Sequence, residues 1–343
     1  MKILSLSATA VLVTTLVGCQ STSREGAEAQ QTQHVSQAVY EVEFSAAHSF
    51  SDQSALLSKT MTSYCSGESD LIAVKEQWHR AMQGWMALQG QERGPQKALE
   101  QSWNIQFWPD KKNTTGRKMS RLTNQSTEWT PQKIAEQSVT VQGLGSIEWL
   151  LYDESSSLET SPSTCATGVA ITQNIASNAE TIWAAWQQNP WVDLDEKAWT
   201  SEYISLLSNQ LEYSMKKMSR PLAKFGHPRP YFSESWRSET SMINLKTNIA
   251  AMQALYLAQG NGLDKQLRDL GEVQLANSIT RQFDTALETW PVNESLFDML
   301  HTKQGYRKAY AQLNKLEQLK YMIHEEVAIE LGVVIGFNAT DGD

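Results

Sequence analysis

Apolar residues in this chain recur at intervals of three and four, the period of an amphipathic helix. Leu71, Val74, Trp78, Met82, Trp85 and Leu88 form one stripe, ended by Gly90 and the Gly94-Pro95 turn. Ile171, Ile175, Ile182, Trp183 and Trp186 form a second, stopped by Asn189-Pro190. Tyr203, Leu206, Leu207, Leu211 and Met215 form a third, predicted to end before Pro221. A fourth runs from Met242 to Leu257 and closes at Gln259-Gly260-Asn261-Gly262; the pattern continues over Leu267 to Trp290 and Gly305 to Val334. Val, Ile and Thr nowhere alternate with polar residues over the length of a strand. The predicted class is all-α, built from long antiparallel helices.

The chain has 343 residues, enough for two domains at the usual ~100–200 residues each. A break near Pro190 to Asp195 divides an N-terminal helical bundle, residues 38–190, from a C-terminal one, residues 191–343. A weak internal echo supports related halves. Trp108-Pro109 precedes the Gly143-Leu144-Gly145 segment, and Trp290-Pro291 precedes Leu331-Gly332-Val333-Val334-Ile335-Gly336-Phe337. Two bundles of this kind bury two cores and leave a seam between them. The 12 tryptophans are read mostly as core.

The first 18 residues read as a processing signal. Lys2 supplies the positive start, Ile3 to Val17 an apolar stretch too short and too light to span a membrane, and Leu16-Val17-Gly18-Cys19 resembles a bacterial lipobox. The expected mature protein begins at a lipidated Cys19. Gln20, rather than Asp, then favours the periplasmic face of the outer membrane. Polar residues up to Gln37 look like a tether, residues 19–37. The net charge of −9 argues against a nucleic-acid partner. Past Cys19 only Cys65 and Cys165 remain, and in an oxidising compartment two thiols imply one disulfide. It would close a loop of ~100 residues, which the chain-entropy model values at about 4.7 kcal/mol.

The chemistry centres on Val141 to Asp153. Gly143 and Gly145 stand at the mouth of an apolar segment, Ile147 to Leu151, that carries one acid, Glu148. A carboxylate among Ile147, Trp149, Leu150 and Leu151 is costly to bury unless something pairs with it. Hydrolytic signatures are absent elsewhere. No Gly-x-Ser-x-Gly elbow occurs. His324-Glu325-Glu326-Val327-Ala328 begins like a zincin helix but has Ala328 at the second histidine position. Glu76 and His79 share a helix face, as in di-iron bundles, but only once. Asn338, Asp341 and Asp343 make an oxygen-rich end that could hold a hard cation or simply be solvated.

Three stretches together resemble the imelysin-like family, also called peptidase M75: Trp103 to Asp110 with Lys111 to Lys118 after it, Gly143 to Leu151, and Leu331 to Asp343. Glu234-Ser-Trp-Arg-Ser238 also looks like a family segment. The likeness runs from about residue 40 to the end. It implies a periplasmic or surface lipoprotein of two helical bundles with a functional cleft between them, associated with iron uptake and with a proposed metal-dependent peptidase activity. The family hallmark is Gly-x-His-x-x-Glu. Gly143 and Glu148 match it, while Gly145 stands where the histidine would be. A Glu with no imidazole three residues before it does not hold a metal alone, so no residue is assigned a catalytic role.

Two roles for Glu148 follow. It pairs with Arg237 across the seam as a structural fork, or it lines a ligand cleft with Arg237, Trp108 and Trp236, with Gly143 and Gly145 admitting the ligand and Arg117 and Ser238 as further members. The resemblance admits a metal ion (iron, zinc or calcium) at Glu148. The first expectation is a non-catalytic lipoprotein that binds a metal, an iron chelate or an iron-uptake partner at the inter-domain cleft. The alternatives are a metallopeptidase of the same family and an interaction lipoprotein with a closed seam.

Overall fold

A computed structural model describes residues 33–333. The expected leader, Cys19, most of the expected tether and the oxygen-rich end at Asn338, Asp341 and Asp343 lie outside the described residues. The chain is already held at His34, whose Nε2 lies 2.9 Å from the Leu194 carbonyl, and at buried Ser36, whose hydroxyl accepts from Asn189 Nδ2 at 2.9 Å. The expected tether is therefore docked at its end.

The first helix, α1 (Gln37–Cys65), had no legible stripe because Glu43, Ser51 and Ser54 interrupt its apolar face, yet all three are buried with Val39, Ala47, Phe50, Leu57 and Met61. Asp70 caps α2 (Leu71–Met86) by accepting from the Ala73 N–H at 2.8 Å. Two short turns follow, α3 (Gln96–Leu99) and α4 (Ser102–Ile105), and the Trp108-Pro109 bond after them is cis. Then come α5 (Thr114–Thr123), α6 (Pro131–Ala135), α7 (Leu144–Tyr152) and the long α8 (Pro162–Ala185). Helices α1, α2 and α8 pack together, with α7 against α2 and α8.

Helix α9 (Glu196–Leu222) opens on an Asp195 cap and runs past Pro221. The expected stop before that proline is not observed, because the Ala223 N–H reaches the Ser219 carbonyl at 2.8 Å and the Arg229 N–H reaches the Pro221 carbonyl at 2.7 Å, satisfying the last turn. Helix α10 (Ser241–Leu257) follows. The expected Leu267 to Trp290 element is split at Gly271 into α11 (Leu263–Asp269) and α12 (Val273–Glu288). After α13 (Leu296–Met299), α14 (Lys303–Lys320) passes through a π-helical turn at Tyr321–Glu326 into α15 (Val327–Glu330). Helices α9, α10, α12 and α14 pack together, and α10 lies against α1 and α2.

The protein is all-α: no strand occurs among the described residues, and the one β-bridge joins Lys224 to His227. None of the described helices is long and apolar enough to cross a membrane. One hydrophobic core runs through both groups of helices, from Phe50, Trp78 and Trp149 to Tyr203, Tyr256 and Phe283. Eight of the 12 tryptophans are buried: Trp78, Trp85, Trp108, Trp149, Trp186, Trp191, Trp199 and Trp290. Cys65 at the end of α1 is bonded to Cys165 of α8, with Cα atoms 5.7 Å apart and 100 residues of chain between them.

Candidate functional site

Helix α7 starts without a side-chain cap because its N-cap is Gly143. A Cβ built there would lie 2.2 Å from the Ile105 carbonyl oxygen, so only glycine lets α7 approach the end of α4. Trp78 Nε1 donates to the Leu144 carbonyl at 3.0 Å and ties the same turn to α2. Gly145, one residue into the helix, is the opposite case. A Cβ there would meet no heavy atom within 4 Å, and the residue borders a small open cavity.

Glu148 sits one turn further on and is only 5% exposed. Its Oε1 accepts from the Ser238 N–H and the Ser238 hydroxyl, both at 2.9 Å. Oε2 has no hydrogen-bond partner among the described residues and borders the cavity. Burial pushes this carboxyl above the usual carboxylate range. The Ser238 N–H, the Arg237 charge and the Ser238 hydroxyl pull it back, and the neighbouring Glu234 pushes it up again.

The expected Glu148–Arg237 fork does not form. Arg237 Nε donates instead to Asp153 Oδ2 at 2.7 Å, just past the end of α7, and its Nη2 donates to Asn113 Oδ1 at 2.7 Å. Its guanidinium lies 4.2 Å from the centre of the Trp236 ring. Arg237 therefore acts on Glu148 through space rather than by contact. Trp236 is held in an aromatic cluster with Tyr231, at 4.9 Å, and Phe297, at 5.8 Å. Trp108 is buried, and its Nε1 donates to the Phe232 carbonyl at 3.1 Å.

The cavity has a volume of about 40 Å³, with Glu148, Gly145, Trp108, Trp236 and Arg237 among its walls. Five of the expected site residues thus come together. Ser238 holds Glu148 from behind. Gly143 belongs to the helix-packing contact rather than to the cavity wall. Arg117 is exposed on the far side of α5 and takes no part, because the helix turns it to solvent while Thr115 faces the cavity.

The structure also supplies wall residues that sequence reasoning missed. Asp110 caps α5, accepting from the Thr114 and Thr115 N–H groups at 2.7 and 2.8 Å. Ser233 is buried, and its hydroxyl has no hydrogen-bond partner among the described residues. Glu234 turns inward to Lys217, which is fully buried on α9, with Nζ 2.6 Å from Glu234 Oε2. Lys217 Nζ also donates to Gln89 Oε1 at 2.7 Å and Asn248 Oδ1 at 2.8 Å. Glu234 Oε1 accepts from Gln89 Nε2 at 2.7 Å and Gln106 Nε2 at 3.0 Å. Burial draws the Lys217 ammonium below its ordinary value, against the opposing pull of Glu234. A lysine on the buried stripe of α9, two turns after Gln210, was the signal for this network.

No histidine lines the cavity. His79 lies 2.9 Å from the Tyr152 hydroxyl, while Glu76 turns to Arg80 at 3.4 Å, so the Glu76–His79 pair does not form. His324 faces Glu325 at 2.9 Å. Among the described residues no three His, Cys, Asp or Glu side chains converge on a point that could hold a metal. Glu148 offers one oxygen, Ser233 a hydroxyl, and the carboxylates of Asp110 and Glu234 are already engaged. This donor set does not fit a resident metal held by the protein alone.

The family model described as Imelysin (peptidase M75) matches residues 44–323. The chain belongs to the imelysin family. No curated protein matches it. Its imelysin fold is shared with solved structures of low identity. An imelysin-like protein from Psychrobacter arcticum 273-4 superposes with a TM-score of 0.70 at 17% identity, covering 88% of this chain and 96% of that one. A putative iron-regulated protein A precursor from Parabacteroides distasonis ATCC 8503 superposes with a TM-score of 0.66 at 14% identity, covering 90% and 97%.

Proposed function

We propose that this imelysin is a non-catalytic binding lipoprotein, anchored through Cys19 at the periplasmic face of the outer membrane, whose Glu148 cavity takes one cationic or hydrogen-donating group of a guest in iron uptake. The observation that carries the reading is Glu148 itself: a buried carboxyl with one oxygen held by Ser238 and the other turned, unpartnered, to an open cavity. An unsatisfied acceptor in such a place is costly unless a partner arrives. A carboxylate is a hard oxygen donor, which favours hard cations and N–H groups over soft metals. At about 40 Å³ the cavity admits a single group rather than a whole drug-sized ligand. A metal would therefore come in a chelate that brings its own ligands and offers one donor group to Glu148. The likeness to the iron-regulated protein A precursor of Parabacteroides distasonis supports iron as the cargo.

Thermal shift and calorimetric titration with ferric, ferrous, zinc and calcium ions and with ferric citrate test this. A guest at 100 times its dissociation constant stabilises the fold by about 2.7 kcal/mol. Glu148→Gln should abolish the shift while leaving the unliganded melting temperature within a few degrees of the parent. A shift that Glu148→Gln leaves intact would remove the reading. The family name keeps a peptidase reading open. Cleavage of an unfolded polypeptide that stops on adding a chelator would establish it in place of the binding role.

A further inference from the structure

A second cleft, of about 530 Å³, has a chemistry opposite to that of the Glu148 cavity. Its charged lining residues are Lys111, Arg220, Lys224, His227 and Arg229, and no acid is among them. The whole chain carries a net charge of −9, so a concave surface with four permanent cations is a local reversal of sign. None of the four is in an ion pair among the described residues, whereas Arg80, Arg93, Lys216, Lys265, Arg268 and Lys308 all are.

Backbone geometry holds these charges in place. Helix α9 ends at Leu222 with Ala223 at φ 47°, a left-handed conformation that a side-chain-bearing residue rarely adopts. A tight turn through Gly226 then sets Lys224 and His227 opposite each other, with the His227 N–H on the Lys224 carbonyl at 2.8 Å. The Arg229 N–H on the Pro221 carbonyl closes the loop. Two of the cations are oriented by ring faces: Arg220 lies 5.7 Å from the Trp108 ring centre and Arg229 5.3 Å from that of Phe232. Stacking fixes the plane of a guanidinium and leaves its N–H fork free for a bidentate acceptor.

We infer that this cleft is a binding site for a small polyanion of the phosphate class, a diphosphate or a phosphorylated headgroup, held by Arg220, Arg229, Lys224 and Lys111 with the Ser219 hydroxyl as a further donor. A single carboxylate would offset one of four charges; groups that each carry close to two charges and three acceptor oxygens match the set. The site is independent of the Glu148 cavity and does not rest on the function proposed for it.

Pyrophosphate is the soluble probe, titrated calorimetrically at low ionic strength into the full chain carrying Cys19→Ser, so that no lipid anchor contributes. Saturable binding is expected, weakened at least tenfold in Arg220→Gln/Arg229→Gln and falling as salt is raised. The control pair Lys59→Gln/Lys97→Gln removes two exposed positive charges elsewhere and should bind as the parent does. Glu148→Gln should also leave binding unchanged. Vesicles of phosphatidylcholine with and without phosphatidic acid identify the source. Retention on the acidic vesicles that pyrophosphate competes away assigns a lipid headgroup. Pyrophosphate binding with no retention assigns a soluble phosphate ester. Absence of saturable binding to either probe, or equal weakening in the arginine and control pairs, overturns the inference.

Discussion

Glu43 and Glu148 are both buried acids that burial pushes up, yet their surroundings separate them. Glu43 is walled into α1, receives a hydrogen bond from Gln91 on Oε2 and has no partner on Oε1; its carboxyl is raised to about 8. The folded protein therefore holds this proton more tightly than the unfolded chain does. Stability from Glu43 is complete below about 4.5 and is lost as pH rises through about 8. Glu43→Gln should flatten this slope, leaving stability unchanged near pH 4 and raising it above pH 8 by an amount on the order of 5 kcal/mol; urea melts at stepped pH read it directly. The glycines at α7 form a second residue-scale pair. Gly143→Ala drives a Cβ into the Ile105 carbonyl and should cost about 3 kcal/mol. Gly145→Ala enters open space and should change the melting temperature little, a contrast that one pair of thermal melts resolves. Both glycines stand out in the sequence, but their roles do not, since the difference lies in whether α4 or the cavity is the neighbour.

Among the elements, α9 does the most to join the molecule. Its buried face reads as a helix from spacing alone, but Lys217 sits on that face between Ser214 and Met218, and a pattern that scores only apolar residues passes over it. The partners of Lys217 come from Gln89 beyond α2, Glu234 in the loop before α10, and Asn248 on α10. Lys217→Met leaves Glu234 charged and uncompensated, so chemical denaturation should show a loss of roughly 3–5 kcal/mol. Lys217→Met/Glu234→Gln should recover most of it, since both charges then leave together. The loop from Ser233 to Thr240 explains why the Glu148–Arg237 fork does not form. Ser235 at φ 49° and Glu239 at φ 62° turn the chain so that Glu234 points inward, Ser238 meets Glu148, and Arg237 swings to Asp153. Left-handed turns at non-glycine residues carry no sequence signal, so the stretch from Glu234 to Ser238 does not disclose its contacts before it folds. Helix α1 was missed for a related reason, because polar Glu43, Ser51 and Ser54 occupy core positions.

For the whole molecule, the all-α class and the Cys65–Cys165 bond follow from periodicity and cysteine counting, which depend on bulk properties and not on loop geometry. Reduction of that bond, or Cys65→Ser/Cys165→Ser, frees a loop spanning 100 residues. The chain-entropy model expects a loss of about 4.7 kcal/mol, read as a lower melting temperature under reducing conditions. The basic cleft was present in the sequence as Arg220, Lys224, His227 and Arg229 set among prolines and Gly226, but a run of charge acquires meaning only once folding makes it concave. The Lys217 knot has one more consequence. Because its bonds tie α9, α10 and the chain beyond α2 to a single ammonium, the two groups of helices have no soft hinge to swing on. Calorimetry should record one endotherm, and the guest proposed for Glu148 would have to select among side-chain rotamers in a mould already set.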